Sequence, residues 1–139
     1  MEQITDDSRN YDFNVLDYLN RNYLLKPTDD PEEQNAALQC IGFTQEQSNS
    51  GRTVYKFDAN GFAKYLLHAI HCVQGGGNAL FIYNNNGRYE EAEDWKMAKI
   101  IKFLMCQVKD LWSLTRETAA LESYKRSVKK WLKSKTILL

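Results

Sequence analysis

The chain has 139 residues, 43% of them apolar and 26% charged, and no net formal charge, proportions that fit one globular domain around one core. No apolar run approaches the roughly 20 residues a membrane span needs, and the polar first ten residues lack the apolar stretch of a signal peptide. The three cysteines (Cys40, Cys72, Cys106) are odd in number and form no Cys-x-x-Cys pair, which points to free thiols in a reducing, cytoplasmic setting and away from a disulfide framework or a zinc site.

In chain order, residues 1–10 read as a disordered tail. Residues 11–43 form an acidic helical segment. Phe13, Leu16, Leu19 and Tyr23 recur at helical spacing and predict a short helix over 11–25. Pro27 and Asp29-Asp30-Pro31 break it. Asp30 then caps a second helix, with Pro31 at its first position, Glu32 and Glu33 in its first turn and Gly42 at its end. The polar residues 44–52 read as a linker. From 53 to 139 the pattern predicts a helix, a hairpin and two basic helices. A short strand over 53–57 leads to Asp58, an N-cap for a helix to about Val73 that buries Phe62, Leu66, Ala69, Ile70 and Val73. Gln74–Asn78, with three consecutive glycines, is a flexible connection. Ala79–Tyr83 is strand-like, and Asn86-Gly87 supplies the positive φ angles of a hairpin turn. Asp94 caps a helix to about Trp112, with Met97, Ile100, Ile101, Leu104, Met105, Val108 and Leu111 inward and Lys99, Lys102 and Lys109 on the other side. Thr115 starts a last helix that buries Ala120, Leu121, Tyr124, Val128, Trp131 and Leu132. The expected fold is mainly α with one small β-hairpin, a helical domain in which the hairpin is placed to act as the wing of a winged-helix-like arrangement.

The zero net charge conceals an asymmetry. Residues 1–94 carry fifteen acidic and seven basic side chains, and residues 95–139 carry three acidic and eleven basic ones. A split of this size indicates a basic surface for an anionic partner, charge matching within the chain, or head-to-tail association of copies. The sharpest signal is on the last helix. Lys125, Lys129 and Lys133 recur at i, i+4 and i+8, with Arg126 and Lys130 beside them. Like charges at i, i+4 destabilise a helix by a few tenths of a kcal/mol each. The macrodipole favours cations only near the C-terminus, so it leaves most of the stripe unexplained. The functional reading is a phosphate-binding ridge; a solvated face and a dock for an acidic protein are its rivals. Lys99, Lys102 and Lys109 would form a second basic row. Arg88, with Tyr83 and Tyr89, would contact sugar-phosphate from the hairpin, although the two tyrosines fit a stabilising cross-strand pair better. The acids Glu90, Glu91, Glu93 and Asp94 argue against a wing lying deep on DNA.

His68 and His71, with Cys72 adjacent, fall short of the three or four ligands a zinc site needs. Gly75-Gly76-Gly77 is followed by no Lys-Ser/Thr and sits between helix and strand in the wrong order for a phosphate loop. No nucleophile elbow, H-E-x-x-H or Ser/His/Asp set is present. The expectation is a non-enzymatic chain with no cofactor and no metal.

From about 53 to 135 the chain resembles the region that precedes the superfamily 3 helicase domain in phage, plasmid and poxvirus primase-helicases. The resemblance is carried by Phe62, Ala63, Leu66 and Leu67, by Leu80–Tyr83, by Gly87 and Tyr89, and by the helices from 94 and 115. It implies a DNA-replication module of a mobile element, helical with a hairpin, which accompanies a ring-forming ATPase. The chain ends before any Walker motif and shows no primase carboxylate motif, so the expectation is either a fragment or a stand-alone accessory module. Thr136-Ile137-Leu138-Leu139 reads as a truncated strand or a docking tail. The function expected is low-specificity DNA binding through Lys125, Arg126, Lys129, Lys130 and Lys133, with a replication protein or a second copy as partner. The alternative is a stand-alone mobile-element module that binds or inhibits a partner protein.

Overall fold

In the computed structural model the described residues are 13–137, with side chains through Lys133; the tail expected over 1–10 lies outside them, as do Leu138 and Leu139. Four α-helices and two small antiparallel sheets make up the described fold, so it is helical but holds more strand than one hairpin.

The first departure is at the N-terminus. The helix expected over 11–25 is replaced by two 3-10 turns, Val15–Asp17 and Arg21–Tyr23. Asn14 Oδ1 accepts from the Leu16 N–H and Asn20 Oδ1 from the Asn22 N–H, local bonds that compete with helix formation. Between the turns Leu19 bridges to Ile70, and the Asn20 N–H donates to the Ala69 carbonyl at 2.7 Å. Tertiary pairing therefore draws the segment into extended form while Tyr18 and Leu19 still reach the core.

Helix α1, Pro31–Cys40, starts as its sequence signals predict: Asp30 accepts from the Glu33 N–H, and Pro31 sits in the first turn. Gly42, at φ +84°, turns the chain out of it. A Cβ there would overlap the Asp58 carbonyl oxygen, so this position demands glycine on two counts. The polar stretch read as a linker is instead most of strand β1, Phe43–Gln47, and the turn after it. β1 pairs with β2, Thr53–Phe57, in a register that sets Phe43 opposite Phe57 and Gln47 opposite Thr53. Only Phe43 of β1 is buried.

Asp58 caps helix α2, Ala59–Ala69, by accepting from the Asn60 N–H. The helix stops four residues earlier than expected. Ile70 is extended, and Cys72–Gln74 forms strand β3. β3 pairs with β4, Leu80–Tyr83, which pairs with β5, Tyr89–Glu91. The β4–β5 turn is longer than an Asn-Gly two-residue turn. Its positive φ angles fall at Asn85 and Gly87, and the buried Asn84 closes it by accepting from the N–H groups of Asn86 and Arg88.

Helix α3 spans Asp94–Met105 rather than reaching Trp112, and its cap residue is Glu93, with Asp94 in the first turn. Helix α4 spans Leu114–Ile137, so Thr136 and Ile137 end a helix instead of beginning a strand. α4 lies chiefly against α2 and also contacts α3 and β3. Phe62, Leu66, Ile100, Ile101, Leu104, Ala120, Tyr124 and Val128 fill the shared core. Inside it the Ser123 hydroxyl donates to Asn60 Oδ1 at 2.6 Å. Burial pushes the Tyr124 phenol well above its ordinary range, with Cys72 beside it, and raises the Cys72 thiol as well. None of the described helices is long and apolar enough to cross a membrane.

Candidate nucleic-acid interface

Ser113 begins α4 by accepting from the Arg116 N–H at its hydroxyl and from the Glu117 N–H at its carbonyl. The helix then runs for 24 residues, about 36 Å, against about 18 Å for the 12 residues of α3. Among its described side chains, through Lys133, the last buried one is Val128. At 100° per residue, Lys125, Lys129, Lys133, Arg126 and Lys130 occupy an arc of about 140° opposite the face that carries Ala120, Tyr124 and Val128.

The structure separates these cations. Lys125 is partly buried and its Nζ lies 2.8 Å from Asp94 Oδ1, tying α4 to the start of α3. Arg126, Lys129, Lys130 and Lys133 are exposed, with no acidic partner among the described residues.

The second basic row does not survive as a row. Lys99 is half-buried on α3. Lys102 holds its Nζ 4.3 Å from the centre of the Trp112 ring. Lys109 lies beyond the end of α3, and its Nζ sits 5.3 Å over the Tyr55 ring and 3.3 Å from the Tyr55 hydroxyl. The early stop of α3 at Met105 breaks the periodicity that placed the three lysines together.

Two cations that sequence reasoning passed over are built into the fold. Lys96 is buried and bridges to Glu90 and Glu93, each at 3.4 Å, while donating to the Glu91 carbonyl. Burial alone would raise Glu90, but bonds from Tyr18, Asn84 and Lys96 outweigh it and hold the carboxyl below its ordinary value. The same burial, with Glu90 facing it, drives the Tyr18 phenol far up. Arg116 donates to the Leu111 carbonyl at 2.7 Å and to the Tyr55 carbonyl at 3.3 Å, and its guanidinium lies 5.2 Å from the Phe43 ring. The sequence signal for Lys96 was its place among four acids. Arg116 gave none, because its partner strand is 61 residues away.

At the hairpin, Arg88 is exposed on the β4–β5 turn. Tyr83 and Tyr89 form the cross-strand pair, ring centres 5.0 Å apart, and the Tyr89 hydroxyl bonds His71 Nε2 at 2.9 Å. His68 stacks on Tyr23 instead. The two imidazoles thus serve different tyrosines, on the wall of an open polar cleft of about 670 Å³ between the 3-10 segment, the end of α2 and the β4–β5 turn. Among the described residues no group of three or more His, Cys, Asp or Glu gathers in a way that would hold a metal ion.

Comparison with protein-family models, with curated proteins and with solved structures finds no match to this chain.

Proposed function

We propose that the chain is a non-catalytic nucleic-acid-binding accessory module, cytoplasmic, of the kind its resemblance to the helicase-preceding region of mobile-element primase-helicases implies. The observation that carries the reading is the contrast among its cations. Lys96, Lys102, Lys109, Arg116 and Lys125 are each engaged by a carboxylate, a carbonyl or an aromatic ring. Arg126, Lys129, Lys130 and Lys133 have no such acidic partner among the described residues and face solvent on the outer side of α4. Their mutual repulsion works against the helix, and the macrodipole reaches only its last turn. A polyanion would relieve that repulsion and release its own counterions. In the winged-helix-like version of this reading, Arg88 adds one flanking phosphate contact from the β4–β5 turn. Specificity is low, because lysines act as point charges and read no base edges in this arrangement.

Fluorescence anisotropy of labelled single-stranded and duplex oligonucleotides across a salt series tests it. The expected result is micromolar binding that weakens steeply with salt, with a log–log slope of roughly −3 to −4 on duplex for about four neutralised phosphates. Absence of binding to either probe at low salt overturns the reading and leaves the two rivals, a solvated face and an acidic protein partner.

A further inference from the structure

The end of the molecule away from the ridge places two aromatic rings beneath two lysines. Arg116 fixes the arrangement: by donating to the carbonyls of Leu111 and Tyr55 it clamps the loop after α3 to strand β2. Trp112, on that loop, carries Lys102 at 4.3 Å over its ring. Its indole N–H donates to Glu117 Oε1 at 2.8 Å, which holds the ring plane. Tyr55, on β2, carries Lys109 over its ring and bonded to its hydroxyl. Lys109 and Trp112 are three residues apart, so their Cα atoms lie no more than roughly 11 Å apart. Both rings are only partly buried. Val54 and Leu114, close by in the chain, are among the few exposed large apolar side chains of the described residues. Of the acids nearby, Glu117 is occupied by Trp112, and Glu46, opposite Val54 on β1, is paired with Lys56.

We propose that Tyr55 and Trp112 form a base-stacking platform that selects single-stranded over duplex nucleic acid, an inference that rests on the nucleic-acid reading of the ridge and adds the class of ligand to it. A lysine over an exposed ring is a weak contact, whereas a base stacked on the same ring is a stronger one. Exchange is therefore downhill: the base takes the ring face, and Lys102 or Lys109 swings to the adjoining phosphate. Duplex DNA, whose bases are already stacked and paired, presents no free base face to the rings. The Trp112–Glu117 bond and the Arg116 clamp pre-position both rings, so little ordering is left for the moment of binding.

The test compares anisotropy of labelled oligo(dT) and of a duplex of equal length with the wild-type chain, the Tyr55→Leu/Trp112→Leu double variant and the ridge variant with Arg126, Lys129, Lys130 and Lys133 changed to Glu. Leucine keeps apolar bulk and removes the ring face. The double variant is expected to lose about tenfold or more on oligo(dT) and less than about twofold on duplex, while the ridge variant loses affinity for both. In a Trp95→Phe/Trp131→Phe chain, oligo(dT) is expected to quench the remaining Trp112 fluorescence, a readout that does not depend on the leucine variant folding. Unchanged oligo(dT) affinity in a folded double variant, or an unquenched Trp112 on saturation, overturns the platform and leaves the ridge reading standing. Loss of all binding in the wild-type chain overturns the ridge reading itself.

Discussion

Lys96 and Arg116 stand against Arg126, Lys129, Lys130 and Lys133 as two uses of the same charge. Lys96 is buried and Arg116 half-buried, and each has two partners outside its own helix: Glu90 and the Glu91 carbonyl for Lys96, the Leu111 and Tyr55 carbonyls for Arg116. Lys96 organises the acids at the base of the β4–β5 turn, and Arg116 joins the α3–α4 connection to β2. The second set lies on one face of one helix with no acidic partner among the described residues. Charge count alone would have treated all six alike. Burial and partner number separate cations held by contacts within the fold from cations left facing solvent.

The comparison breaks first, if it breaks, on the ridge. Changing Arg126, Lys129, Lys130 and Lys133 to Glu is expected to lower DNA affinity at low salt by about a hundredfold or more, with the thermal midpoint nearly unchanged. Anisotropy and circular dichroism on one preparation read both. A folded variant that binds as the wild type does would remove the ridge from the interface.

The interior cations should behave in the opposite way. Lys96→Ala leaves Glu90 partly buried without its cation, and Arg116→Ala strips two carbonyls of a charged donor. Each is expected to cost about 2 kcal/mol, a fall in thermal midpoint of roughly 4–8 °C for a chain of this size. Duplex affinity of the folded fraction should stay close to that of the wild type in both, whereas Arg116→Ala, which releases the clamp on Tyr55 and Trp112, should also weaken oligo(dT) binding. Urea melts of both variants would expose the error if either left the midpoint where it was.

How far this division was legible in the sequence depends on the distance of the partners. Asp30-Pro31 and Asp58 act on their own first turns, so the starts of α1 and α2 could be read from neighbouring residues, while α4, expected from Thr115, starts at Leu114 because Ser113 accepts from the Arg116 and Glu117 N–H groups. β1 could not be read this way. Four of its five residues are exposed, and it exists because β2 pairs with it across the Ser48–Arg52 turn. The N-terminal helix failed although its apolar spacing was helical, since Asn14 and Asn20 bond their own neighbours and Leu19 is captured by Ile70. The helical period placed the five cations on one side of α4, but Lys125, first of the row, is taken by Asp94. The Lys99/Lys102/Lys109 row did not form, because it assumed a helix through Trp112 that ends at Met105.

Acid titration sharpens the same contrast with a smaller effect. Glu90 has its folded-state pKa held below the ordinary glutamate value of 4.5 by Tyr18, Asn84 and Lys96. The stability it contributes is therefore fully present above about pH 4.5 and is lost as pH falls through the lower folded value. Glu90→Gln should flatten this part of the acid limb of a stability–pH curve. It should leave the neutral region lower than wild type, because the glutamine cannot pair with Lys96. Chemical melts at pH steps between neutrality and acid would show an unaltered acid limb if the network around Lys96 were loose.

The smallest expected effect is the most exacting for the comparison. Lys129 lies between Lys125 and Lys133 at i, i+4 on both sides, and it is exposed. Lys129→Ala removes the like-charge contacts with Lys133 and with Lys125, the latter already paired with Asp94, and introduces the best helix former. Stability should therefore stay level or rise by a few tenths of a kcal/mol at low salt. The gain should shrink as salt screens the repulsion. The same change should weaken DNA binding by a few-fold and reduce the salt slope by about one unit. A loss of more than about 1 kcal/mol in urea would show that Lys129 packs or pairs as Lys96 does, and the ridge would then belong to the fold rather than to a partner.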